Sequence, residues 1–202
     1  KADFYFFKSR ASNELENFDD AIASYNSLKL INSAEYSNKV KTEFELLKDQ
    51  IETSLVNSAV ADNQGEKYSE ASTKLYMAYN LNKDKNQDYL YYAAGSAVNS
   101  KDYDKALLHY LELKDLNYTG IVTEYFVTNV SSGVEEKVSE SEYKVYEKSK
   151  EYNNPRIGET PSRYPEIVKN IALIYVQQGK NEIAIEAINQ ARQIQPDDTG
   201  LI

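Results

Sequence analysis

The stretch "NIALIYVQQGKNEIAIEAINQARQIQP", Asn170 to Pro196, holds one glycine at 179, small alanines at 184 and 191, and a proline at its far end. Read as one helix, it would carry Gly179 near its middle at a cost of about 1 kcal/mol relative to alanine. Read as two helices, it places Gly179 where the chain must turn. Upstream, Ile167, Val168, Ile171, Ile174 and Tyr175 recur at three-to-four spacing, and downstream Ala184, Ile188, Ala191 and Ile194 do the same. Two amphipathic helices joined by "QQGKN" run antiparallel and bury those stripes against each other. Ala184 and Ala191 then permit close approach, and Pro196, which cannot continue a helix, ends the second one.

A helix pair this short cannot bury both of its faces, so units of this kind come in stacks. The stretch resembles the tetratricopeptide repeat, whose pattern runs from a large residue through Leu-Gly, Tyr, Ala, an aromatic and Ala to Pro over about 34 residues. Those places hold Val168, Ile171 with Ala172, Tyr175, Ala184, Ile188, Ala191 and Pro196, so Val stands for Trp, Ile for Leu, Ala for Gly and Ile for the aromatic. Anchoring on the aromatic-x-x-Ala that opens the second helix finds three more copies. They place Phe18, Ala21, Tyr25 and Leu28; Tyr68, Ala71, Leu75 and Ala78; and Tyr103, Ala106, Tyr110 and Leu113. The anchor alanines at 21, 71, 106 and 184 stand 50, 35 and 78 residues apart. The first interval fits a longer first helix in the second unit, within "AEYSNKVKTEFELLKDQIETSLVNSAVADN". The resemblance implies an all-α right-handed solenoid with repeats at about 3–34, 37–84, 87–118 and 165–198.

The long third interval holds an insertion over 119–164. "IVTEYFVTNV" is β-branched and aromatic, "SSG" signals a turn and "VEEKV" returns, which predicts a β-hairpin. Ser139 with Glu142 makes a capping box for a helix "ESEYKVYEKSKEY". "NNPRIGETPSRYP", with three of the four prolines, reads as an irregular loop. A hairpin's raw edges either pack back on the helices or await a partner strand. Insertions of this sort occur in some bacterial tetratricopeptide proteins.

With 23 basic and 32 acidic residues the chain carries −9, which disfavours nucleic acid and anionic lipid as partners. No run of about 18 apolar residues is present to insert in a membrane. The absence of cysteine excludes disulfides, thiolate metal sites and cysteine nucleophiles. The chain begins at Lys1 rather than a methionine, and "DDTGLI" reads as the start of a further helix over 199–202. We expect a trimmed piece of a longer product that continues past Ile202, compatible with an exported bacterial protein, although the compartment stays open.

Chemistry is sparse. His109 is the single histidine and sits mid-helix, and no nucleophile elbow, zinc motif or phosphate loop is present. The expectation is a non-enzymatic protein without cofactor or metal that binds a protein or peptide. In the tetratricopeptide resemblance the first helices line a concave groove. That implies Phe6 and Phe7, Val56 and Asn57, Tyr91 and Tyr92, and Lys169 and Asn170 as groove residues, with Arg10, Asn13, Val60, Gln64, Asn99 and Gln177 further along the same helices. Paired rings give contact area at low entropy cost and amides bond a peptide backbone. Two other readings stay open: an accessory solenoid segment of a larger enzyme or sensor, and a glycan-binding protein suggested by the 18 tyrosines.

Overall fold

The computed structural model describes residues 1–194. Pro196, the repeat boundary at 198 and the expected helix start at 199–202 lie outside the described residues. The chain is mostly helical, with one small antiparallel sheet. The helices are α1 (Ala2–Glu14), α2 (Phe18–Lys29), α3 (Asn38–Gln64), α4 (Tyr68–Leu81), α5 (Gln87–Asn99), α6 (Tyr103–Asp115), α7 (Glu140–Tyr146), α8 (Tyr164–Gln177) and α9 (Asn181–Ile194). The strands are β1 (Thr123–Asn129), β2 (Glu135–Val138) and β3 (Tyr152–Glu159). Two compact units result, Lys1–Leu113 with Gln177–Gly179, and Lys114–Val176 with Lys180–Ile202.

One turn is used four times. Glu16, Glu66, Lys101 and Gly179 each adopt a left-handed conformation, with φ of 55°, 59°, 62° and 70°. Each lies five residues before its anchor, at Ala21, Ala71, Ala106 and Ala184. After each, the next amide reaches back five positions to close the preceding helix: Asn17 to Ser12, Lys67 to Asp62, Asp102 to Ala97 and Lys180 to Tyr175, at 2.9, 2.8, 3.0 and 3.0 Å. This is the Schellman arrangement, which satisfies carbonyls that a helix end leaves unpaired. Three of the four turns place Glu or Lys where glycine would adopt the conformation without strain.

In the first unit the anchor alanines make room for neighbouring backbone. Ala21, Ala71 and Ala106 are fully buried. The Ser9 hydroxyl donates to the Ala21 carbonyl at 2.7 Å, and the Ser72 hydroxyl to the Ala93 carbonyl at 2.9 Å. Phe6, Phe18, Tyr25, Leu28, Val40, Leu47, Ile51 and Leu55 form the main core, and Ala59, Ala71, Leu75 and Ala93 a smaller one. The long α3 packs against α1, α2 and α4, and its buried stripe follows helical spacing. Ser37 caps it by accepting the Val40 amide.

In the second unit the expected hairpin is part of a three-stranded sheet ordered β2-β1-β3. The Pro-rich segment predicted as an irregular loop is a strand, β3, up to Glu159, paired with the other edge of β1, and only Thr160 to Arg163 stay irregular. The reason is a bulge. Phe126 opposes Arg156 and Thr128 opposes Asn153, so Asn154 and Pro155 together face Val127. Asn154 takes φ 47°, and the proline, with no amide to donate, sits where the ladder is interrupted. The capping box at Ser139 and Glu142 is formed, but α7 ends at Tyr146, because Tyr152 already belongs to β3. Its rings cover the sheet, Tyr143 against Tyr125 at 5.1 Å and Tyr146 stacked on Tyr152 at 4.2 Å. In the α8–α9 pair, Val168 and Ala191 pack together with Tyr164, and Gly179 makes the turn.

Candidate functional site

Along α3, Leu46, Gln50, Thr53, Asn57 and Val60 recur three and four residues apart and are all exposed, on the side away from the buried Leu47, Ile51, Leu55 and Ala59. Beside them stands α1. Arg10 spans the two helices, bonding Glu43 at 3.4 Å and Glu14 at 3.3 Å. The Asn13 amide donates to the Ser54 hydroxyl at 3.1 Å. On the other flank α5 is tied to α3 by Ser96, which donates to the Asn63 carbonyl oxygen at 2.9 Å, and by Asn86, which donates to Glu52 at 2.8 Å. The open side of α1, α3 and α5 is therefore one continuous face held by polar cross-links. Large apolar side chains punctuate it: Phe4, Phe7 at 49% exposure, Leu46 at 52%, Val60, and Tyr92 at 46%.

Between α1 and α3 the face dips into an open hollow lined by Arg10, Asn13, Glu14, Leu46, Asp49, Gln50, Thr53 and Ser54. The Asn13 carbonyl oxygen there is buried and accepts no hydrogen bond. Asp49 is exposed and pairs with no cation among the described residues. Lys39 lies 5.3 Å from the centre of the Phe7 ring and 3.8 Å from Glu43, so its charge is already engaged.

The expected groove residues divide. Phe6 is a correction: at 1% exposure it fills the core beneath Phe7, because positions one apart on a helix point about 100° away from each other. Phe7, Asn57 and Asn99 are exposed, Arg10 and Asn13 are half-buried and line the hollow, and Val60 and Gln64 are exposed. Val56 leans on the core. Tyr91 is half-buried and meets Tyr92 edge-on at 5.6 Å. Lys169 and Asn170 are half-buried on α8 in the second unit, and Gln177 is exposed at its end. Sequence reasoning missed Leu46, Asp49, Gln50, Thr53 and Ser54. Most of them were within reach, since stepping back from Asn57 by four, three and four along the long helix gives Thr53, Gln50 and Leu46.

No protein-family model matches the chain, and no curated protein sequence matches it. Among the described residues no group of three His, Cys, Asp or Glu gathers in metal-binding geometry, and no helix is long and apolar enough to cross a membrane.

Apart from Tyr25 of α2, which burial pushes up to about 12, the titratable groups with large shifts lie between α4 and α6. His109 is 5% exposed and stacks on Tyr76 at 4.6 Å. Burial, helped by Lys105, lowers its pKa to about 4 against the opposing pull of Glu112 and Asp102. Tyr79 donates to Glu112 at 2.6 Å, and burial followed by that bond pushes the phenol well above its usual range. At Glu112 burial works upward, but bonds from Tyr79 and Lys83 hold the carboxyl below the ordinary value. These groups brace α4 against α6.

Proposed function

We propose that the chain is a tetratricopeptide-like, non-enzymatic scaffold that docks a peptide or helix of a partner protein on the open face of α1, α3 and α5. The observation that supports it best is the fourfold turn. The same left-handed residue five places before a buried alanine, closed by the same hydrogen bond reaching back five positions, is how a repeat keeps its geometry while its surface residues diverge. Repeated hairpins leave one row of first helices uncovered, and here that row is α1, α3 and α5, with Phe7, Leu46 and Tyr92 exposed on it. Rings and branched side chains beside amide-bearing residues suit an extended or helical peptide.

A photo-crosslinking residue placed at Thr53 on the open face, and separately at Asn26 on α2, tests the reading in lysate of the source cell. The expected result is a discrete protein adduct from Thr53 that is lost with Phe7→Ala/Tyr92→Ala, and none from Asn26. Equal adduct patterns from the two positions, or none from Thr53, would overturn it.

A further inference from the structure

The hollow between α1 and α3 has a chemistry of its own. Its lining includes one large apolar side chain, Leu46, 52% exposed, and two carboxylates, Glu14 and Asp49, together with Gln50 and Thr53. The one cation in it, Arg10, is taken up by Glu14 and Glu43, and the nearby Lys39 shares Glu43, which leaves the carboxylate of Asp49 to set the sign of the site. The buried Asn13 oxygen adds an acceptor that lacks a donor. Beside neutral amides and hydroxyls, the one charge left over is the carboxylate of Asp49, and the chain as a whole carries −9. An acidic segment would place like charge against Glu14 and Asp49, whereas a cationic side chain would lay its aliphatic stem on Leu46 and direct its head to the carboxylates.

Resting on the groove reading above, we propose that the partner segment is a basic peptide with apolar anchors, whose lysine or arginine enters this hollow while its apolar side chains lie over Phe7 and Leu46. Charge complementarity selects the occupant: attraction at the hollow favours the basic segment, and juxtaposed like charges reject its acidic counterpart.

Two fluorescein-labelled, N-acetylated 14-residue peptides serve as probes, both with leucines at helical spacing, one with lysine and one with glutamate at the polar positions. Anisotropy titrations use the full chain, the Asp49→Lys variant, Phe7→Ala/Leu46→Ala, and Asp104→Lys, a charge reversal on the exposed surface of α6. The expected result is at least tenfold tighter binding of the lysine peptide, lost with Asp49→Lys and with the apolar pair, and retained with Asp104→Lys apart from the small weakening that any added charge brings. The glutamate peptide should gain on Asp49→Lys. Equal weakening by Asp49→Lys and Asp104→Lys would reduce the effect to net charge and overturn the hollow. Tighter binding of the glutamate peptide through Phe7 and Leu46 would overturn the charge assignment and leave the docking face standing. If neither peptide depends on Phe7 and Leu46, the hollow and the docking face both fall.

Discussion

Lowering the pH from 7 to 5 should cost the first unit about 2 kcal/mol of stability through His109 alone. The imidazole titrates near 6.5 when the chain is unfolded and near 4 in the fold, where burial on the Tyr76 ring, with Lys105 close by, disfavours the charged form. Because the folded value is the lower one, the unfolded chain binds the extra proton between these two pH values. The stabilisation is complete above about pH 6.5 and is withdrawn as the pH falls toward 4. The full gap is worth ~3 kcal/mol at about 1.4 kcal/mol per pKa unit, and ~2 kcal/mol of it is spent by pH 5. Glu112 acts lower on the scale. Its depressed carboxyl contributes above its unfolded value of 4.5 and is lost only as the pH falls through its folded pKa. Since His109 is the only histidine, its ring resonances can be followed by NMR without assignment, in buffer and in urea. Urea unfolding at pH 7 and pH 5, for the native chain and His109→Phe, supplies the free energies. A native-state pKa near 6.5, or the same loss of stability in His109→Phe, would refute the burial account.

Phe6 and Phe7 differ in sequence by one step and in consequence by several kcal/mol. Phe6→Ala should destabilise by about 3–5 kcal/mol in urea unfolding, whereas Phe7→Ala, half exposed, should cost under ~1 kcal/mol. Lys101→Gly should add about 0.5–1 kcal/mol by relieving the left-handed turn, and Gly179→Ala should lose about 1 kcal/mol for the converse reason, both read as midpoint shifts. Ser72→Ala removes the donor to the buried Ala93 carbonyl and should cost about 1–2 kcal/mol, most visibly as faster amide exchange at the α4–α5 contact.

Much of the helical framework was legible because its signals are local. Three of the four anchor alanines, at 21, 71 and 106, follow an aromatic by three residues and precede buried positions by four and seven, a period that depends only on helix geometry. Even the turns that lack glycine were located this way, since Glu16, Glu66 and Lys101 carry no turn signal themselves. The insertion was only partly legible. Its first strand is β-branched and aromatic and the turn after it announces the return of β2, but β3 is written in Asn, Pro and Gly, residues that ordinarily mark loops. Only pairing with β1, through a bulge that absorbs Asn154 and Pro155, makes it a strand.

The amino-acid sequence by itself determined where the helices of the hairpins lie and which small residues let them approach, because period, turn and side-chain volume are properties of neighbouring residues. Tertiary structure decided which side of each helix stays open. It sent Phe6 into the core and Phe7 to the surface, and it set Asp49 and Gln50 of one helix opposite Arg10 and Asn13 of another to form the hollow. The physical reason is that burial and charge pairing depend on which helix packs beside which, and residues some 40 positions apart carry no local trace of having been brought together.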